Sequence, residues 1–381
     1  MNAMRLAVPL LVLQHRNLRP ANAFSQLSCV LGAGTLSVLL ALAGCGGGGG
    51  GAGGAPAVAF VYPSSLATAE STDTVGGFTS PYALHTDTTA PQLVSVPQTV
   101  LANVPATGRI TFTVSAIQLP SEPSPEPAFV VTFDLSNSGS PLPSNPLDSP
   151  SLSPNCSGCL RTVTMPASDL AGNPLTQAVT FTYLDPASSP LNYSTLGMWT
   201  KPSAVSTIWS EVGGPFSAGV VTRGIDLPIT GTASYDGFFI GRFATSDTTD
   251  PSLPPGTYIV GANAHVVVNF SGGGAVTVST SNTQISRELG AGALDIPVAE
   301  PRLDLSTTTA MAITRTPTSN VFLGVPGTLT NGFGMNENGQ LGIGGAFYGP
   351  PTATAAPELG GSLAVGNPSQ SLVGSFALKT P

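Results

Sequence analysis

Val260-Gly261-Ala262-Asn263-Ala264-His265-Val266-Val267-Val268-Asn269-Phe270 is followed by Ser271-Gly272-Gly273-Gly274 and then by Ala275-Val276-Thr277-Val278-Ser279. In the first piece Val260, Ala262, Ala264, Val266, Val268 and Phe270 share one phase of a period of two, while Gly261, Asn263, His265 and Asn269 occupy the other. A strand with one dry and one wet face uses that spacing, and a helix does not. The glycine run makes a turn, and Val276 and Val278 begin the partner of a hairpin. Asn338-Gly339 signals a second hairpin leading into Leu341, Ile343, Gly345 and Phe347, and Leu372, Gly374, Phe376 and Leu378 close the chain in the same phase.

Working outward, strands are expected at 195–200, 217–223, 231–243, 258–270, 275–285, 320–329, 340–348, 359–365 and 372–379. Glycines recur inside them. Strand-interior glycine is tolerated where the backbone bends or is approached closely, as in a sheet that closes on itself. The expected fold of residues 191–381 is therefore an eight-stranded antiparallel β-barrel. An outer-membrane pore would need aromatic girdles, for which seven Tyr and two Trp are too few.

Composition agrees. Of 381 residues only 8% are charged, against about 25% in ordinary domains, while Gly (45) and Pro (36) make up about a fifth. Solvent-facing helices need Glu, Lys and Arg, so an α-rich or doubly wound fold is excluded and an all-β chain with Gly/Pro turns remains. Upstream, 94–96, 109–117, 128–135, 159–165 and 178–184 are further β-branched and aromatic runs, placing a small β-domain at 91–190.

No acidic residue precedes Glu70, whereas Arg5, Arg16 and Arg19 lead into a charge-free apolar run from Cys29 to Ala43. This is the layout of an export signal, shorter than the roughly 20 apolar residues of a membrane span. Leu42-Ala43-Gly44-Cys45 resembles the lipobox of bacterial lipoproteins, in which a peptidase cuts before a Cys that carries lipid. Six glycines, Gly46 to Gly51, follow as the start of a flexible tether covering 45–90. Gly46 also lacks the Asp that holds many such proteins in the inner membrane, so the expected address is the outer membrane, at the cell surface or on its periplasmic face. Removal of residues 1–44 takes away three arginines and no acid, moving the formal charge from −8 to −11. Nucleic acid is a poor partner for such a surface.

Cys156 and Cys159 are expected to form a small disulfide loop in an oxidising compartment. With no second cysteine pair, a structural zinc site lacks ligands, and no metal is expected. His265 lies on the wet side of its strand and reads as a solvated surface histidine. His85 belongs to no metal-spaced cluster. Asp247 and Asp250 sit in a Ser/Thr/Pro turn and read as loop solvation. No nucleophile elbow, zinc-protease, Walker or EF-hand pattern occurs, so no enzyme is expected and no cofactor is called for.

Two resemblances remain. Thr88-Thr89-Ala90-Pro91 with Asp169-Leu170-Ala171-Gly172-Asn173-Pro174 resembles the ends of bacterial immunoglobulin-like modules. Gly344-Gly345-Ala346-Phe347-Tyr348-Gly349-Pro350, Glu358-Leu359-Gly360-Gly361-Ser362-Leu363 and Val373-Gly374-Ser375-Phe376-Ala377-Leu378-Lys379 resemble the closing strands of the transferrin-binding protein B-like β-barrel family. Upstream, Tyr193 to Trp199 resembles that family's opening strand, and Gly231-Thr232-Ala233-Ser234-Tyr235-Asp236-Gly237 its G-x-A-x-Y-x-G strand. The resemblance implies an Ig-like or handle-like domain at 91–190 before the barrel. It also implies a lipoprotein that binds a host protein, haem or another solute, serving iron acquisition with a TonB-dependent receptor. Its motif residues (Tyr193, Trp199, Gly231, Tyr235, Gly237, Gly345, Phe347, Tyr348, Gly349, Pro350, Glu358, Gly360, Gly361 and Phe376) are structural in the family and carry no ligand identity. Binding is expected in loops 245–256, 286–302 and 350–357. The competing reading is a structural or adhesive surface protein with no small-molecule ligand.

Overall fold

The computed structural model describes Ser65, Leu66 and residues 75–381 apart from short gaps, of which 331–339 is the longest. The export signal, Cys45, the glycine tract, Thr88 to Pro91 and the Asn338-Gly339 turn lie outside the described residues. Among the described residues every ladder is antiparallel, and the fold is all-β with a few short 3-10 turns.

One sheet of eight strands runs Gln92–Ser95, Tyr82–Asp87, Trp209–Val220, Ser194–Pro202, Val179–Leu184, Leu160–Met165 and Ser140–Pro141, with Val75–Thr79 also paired to Trp209–Val220. A three-stranded sheet, Val100–Asn103, Arg109–Val114 and Phe129–Asp134, shares a core with it. There Phe112 lies 4.9 Å from Phe181 and 4.8 Å from Phe216, and Phe129 meets Trp199 edge-on at 5.4 Å. Residues 195–200 and 217–223, counted above as barrel strands, thus lie in or next to strands of the eight-stranded sheet. Ser194–Pro202 pairs on one side with Val179–Leu184 and on the other with Trp209–Val220, which Val75–Thr79 and Tyr82–Asp87, far earlier in the chain, hold in this sheet.

The other large sheet has twelve strands. It runs Met311–Ile313, Phe322–Gly324, Gln340–Tyr348, Glu358–Gly366, Gln370–Lys379, Thr232–Thr245, Gly256–Asn269, Ala275–Gly290, Ser306–Thr309 and Thr328–Thr330, with Ala293–Leu294 and Val298–Ala299 added on Ala275–Gly290. Its ladders form an open path among the described residues, not the closed eight-stranded barrel expected above. Both ends of the path fall within 306–330. Ser306 to Thr308 pair with Thr330 to Thr328, whereas Met311 to Ile313 pair with Gly324 to Phe322, a register offset by one residue.

The sheet nonetheless curls over its own core. Phe347 and Phe270 are four ladders apart, about 19 Å in a flat sheet, yet their rings are 5.8 Å apart. Tyr235, Phe239 and Phe243 point into this core with Val260, Val266, Phe322, Ile343, Phe347, Leu363 and Phe376. On the other face of the same strand, Phe238 and Ile240 pack with Leu160, Leu184 and Leu196 of the eight-stranded sheet, and Ala244 packs with Met198. Glu358–Gly366 is buried along its whole length. The opening stretch behaves as expected in its second half, with Val266 and Val268 buried and His265 and Asn269 exposed. At Gly261 both faces are buried, because Pro146 and Leu147 lie where a Cβ would sit, at 3.0 Å.

Candidate functional site

Strand register decides which of the expected binding loops share an end of the curled sheet. Thr245 pairs with Gly256, and Tyr258 with Arg287, so the turn 245–256 and the hairpin that follows Arg287 lie together. The turn at 366–370 joins them, with Ser246 N–H donating to Ser369 O at 2.9 Å. Loop 350–357 is elsewhere: Asp236 and Glu358 both pair with Lys379, which puts it at the opposite end.

Two arginines organise the first end, each holding two carboxylates. Arg242, buried on the outer face of its strand, donates to Glu211 at 2.8 Å and to Glu288 at 2.5 Å, joining the eight-stranded sheet to the hairpin. Arg302 donates to Glu300 at 2.6 Å and to the Asp250 carboxylate, tying the hairpin to the turn. Arg287 adds a 2.9 Å bond to Pro255 O. The Ser252 hydroxyl and the Arg302 guanidinium hold the Asp250 carboxyl down at about 2, so it stays ionised in acid. Asp250 is therefore an ion-pair partner and more than a solvated turn residue, whereas Asp247 closes its own turn on Thr249. Around these charges, Leu289, Ile296 and Val298 are 60%, 77% and 56% exposed. Folded-back pairing of Ala293–Leu294 and Val298–Ala299 on Ala275–Gly290 presents them. Nothing in the local sequence separates them from core aliphatics.

The motif residues build the opposite end and the junction of the two large sheets. The Glu358 carboxylate accepts from Asn192 N–H at 2.6 Å, Tyr193 N–H at 3.0 Å and Ser194 Oγ at 2.7 Å. Burial pushes its carboxyl above the ordinary 4.5 despite those donors. Tyr348, fully buried, meets Ser217 Oγ at 3.1 Å, and Gly360 lies against Ser217 where a Cβ would be only 3.0 Å away. Gly349 has φ +83° against the Tyr193 ring, and Gly231 has φ +93°. A Cβ on Gly237, Gly345 or Gly361 would stand 2.3, 2.3 or 2.2 Å from a carbonyl oxygen of the neighbouring strand. Tyr235, Phe347 and Phe376 fill the core, Trp199 fills that of the first sheet, and Pro350 sits half-buried after the Gly349 turn. Cys156 and Cys159 are disulfide-bonded and buried among Leu147, Leu160, Leu184 and Phe238. His265 is half-exposed and 2.7 Å from Asp236. Among the described residues, no group of three His, Cys, Asp or Glu could hold a metal ion, and no helix is long and apolar enough to cross a membrane.

No protein-family model and no curated protein sequence matches the chain. Among solved structures it is similar to a double mutant of transferrin-binding protein B from Haemophilus parasuis, with 14% identity, 75% of this chain and 54% of that one covered, and a TM-score of 0.35. Transferrin-binding protein B from serogroup B Neisseria meningitidis follows at 12%, 82%, 77% and 0.30, and a surface lipoprotein at 13%, 80%, 98% and 0.27. The chain thus spans about half the length of the first of these. Likeness at this level says nothing about what this chain binds.

Proposed function

We propose that this chain is a non-enzymatic outer-membrane lipoprotein, anchored through Cys45, that binds a protein partner at the end of the curled sheet formed by 245–256, 286–302 and 366–370. The carrying observation is the contrast between a core filled with aromatic and aliphatic side chains and an end that leaves Leu289, Ile296 and Val298 in water. Among the described residues the inner face of the sheet is packed with aromatic and aliphatic side chains, which favours recognition on the outside. Exposed aliphatics on an ion-paired rim are what a protein contact uses. The sequence resemblance to transferrin-binding protein B-like barrels supports a host protein as the partner and a TonB-dependent receptor as its accessory. The folded body is assigned to 91–190 and 191–381 together with Val75–Thr79 and Tyr82–Asp87, which pair within the eight-stranded sheet, so that only the part of 45–90 before these strands is left as tether.

The test is binding by the mature lipidated protein, held in nanodiscs, to a panel of host serum and iron-carrier proteins. Wild type binds at least one of them, and Leu289→Ser/Ile296→Ser/Val298→Ser weakens that binding at least roughly tenfold, as loss of a contact centre does. Binding untouched by the triple change moves the site elsewhere. Cell adhesion lost on deletion, with growth on limiting iron unchanged, would favour the adhesive reading.

A further inference from the structure

Four carboxylates, Glu211, Glu288, Asp250 and Glu300, share only two guanidiniums at this rim, Arg242 and Arg302. Each cluster keeps a net negative charge after its ion pairs form. Asp295, exposed between Leu294 and Ile296, and Asp247 add two more, against Arg287 alone. The exposed aliphatics are thus set in an acidic frame, on a mature chain of formal charge −11.

We propose that the occupant of this rim is a cationic protein face, with lysines or arginines surrounding an apolar centre. The inference rests on the rim being a binding site and adds the chemistry of what binds there. A second copy of this chain is disfavoured by the same frame, since it would set acid against acid around the aliphatics. Nucleic acids and anionic lipid are repelled for that reason too. A Lys or Arg partner gains twice: its head meets carboxylate already in surplus, and its alkyl stem lies along Leu289, Ile296 or Val298. Charge complementarity of this kind acts chiefly on the association rate and fades as salt screens it within about 10 Å.

The test uses the mature lipidated protein in phosphatidylcholine nanodiscs, with empty nanodiscs as control. The probes are three versions of one small soluble scaffold protein displaying Lys with Leu, Lys with Ser, or Glu with Leu on one sheet face. The Lys–Leu face is expected to bind, with association slowing roughly tenfold between low and about 0.15 M salt. The Lys–Ser face should bind at least roughly tenfold more weakly, because the apolar centre is missing. Leu289→Ser/Ile296→Ser/Val298→Ser should remove the Lys–Leu interaction, and Asp247→Asn/Asp295→Asn should slow its association with melting unchanged. Equal binding of the Glu–Leu and Lys–Leu faces, still lost in the triple variant, overturns the cationic partner and leaves the rim standing. Failure of every face, or binding indifferent to the triple variant, overturns both.

Discussion

Glu358 and Ser194 lie 164 residues apart in the chain and 2.7 Å apart in the fold, the serine hydroxyl donating to a carboxylate that also accepts the Asn192 and Tyr193 N–H groups. One acidic side chain of the twelve-stranded sheet thereby satisfies the start of a strand in the eight-stranded sheet. Glu358→Ala strands three donors in a buried place, and its expected cost is about 3 kcal/mol or more in urea unfolding. Glu358→Gln keeps one acceptor and should cost less.

The pH dependence of that junction runs opposite to the rim's. Burial makes the folded chain bind the Glu358 proton more tightly than the unfolded chain, so this group favours folding as pH falls from its raised value toward the ordinary 4.5. Asp250, held at about 2, contributes stability above the ordinary 3.8 and loses it as pH falls toward 2. Acid titration should therefore release the 245–256 turn before the junction. Amide exchange at pH 3 that shows the junction opening first would contradict this.

Lys201 is 1% exposed and bonded at 2.9 Å to Glu126, which is fully buried and also accepts from Ala204 N–H. Burial alone would raise the Glu126 carboxyl, but Ser203, Ala204 and Lys201 outweigh it and hold it low. Lys201→Met leaves that carboxylate without its cation, at an expected cost of about 3 to 5 kcal/mol, whereas Lys201→Met with Glu126→Leu should recover most of it. The four stabilities of this cycle, from chemical denaturation, check the claim.

Gly374 faces Phe239 across paired strands, and a Cβ there would stand 2.2 Å from the ring and 2.7 Å from Ile240 O. Gly374→Ala should destabilise by about 2 kcal/mol or more through overpacking. Adding Phe239→Leu relieves the ring but not the backbone contact, so thermal melting should show only partial rescue.

The Cys156–Cys159 disulfide closes a very short loop, so chain entropy predicts only about 2 kcal/mol from it. Its burial between Leu147 and Leu160 implies slow access to reductant. Alkylation after dithiothreitol should label both thiols in denaturant and few in buffer. Rapid labelling in buffer would contradict the buried placement.

The strands of the closing motifs are legible because larger and smaller side chains alternate along them even though both faces are buried: 340–348 matches Gln340–Tyr348, and 359–365 lies within Glu358–Gly366. Trp209–Val220 was read only from Ser217 onward, since Glu211-Val212-Gly213-Gly214-Pro215 shows neither alternation nor a β-branched run. The exposed aliphatics of the rim were invisible for the complementary reason: Leu289, Ile296 and Val298 look like core residues until their surroundings are known.

By itself, then, the sequence determined an all-β chain and most strand positions, because those follow from local periodicity. The tertiary structure alone decided that Ser194–Pro202 and Trp209–Val220 join the eight-stranded sheet, that the ladders of the twelve-stranded sheet stay open, and that loop 350–357 faces away from 245–256 and 286–302. Alternation records that a face is buried but not what buries it. Sheet membership is settled by pairings such as Val75 with Val220, between residues 145 apart (220 − 75), and no local window of sequence contains them.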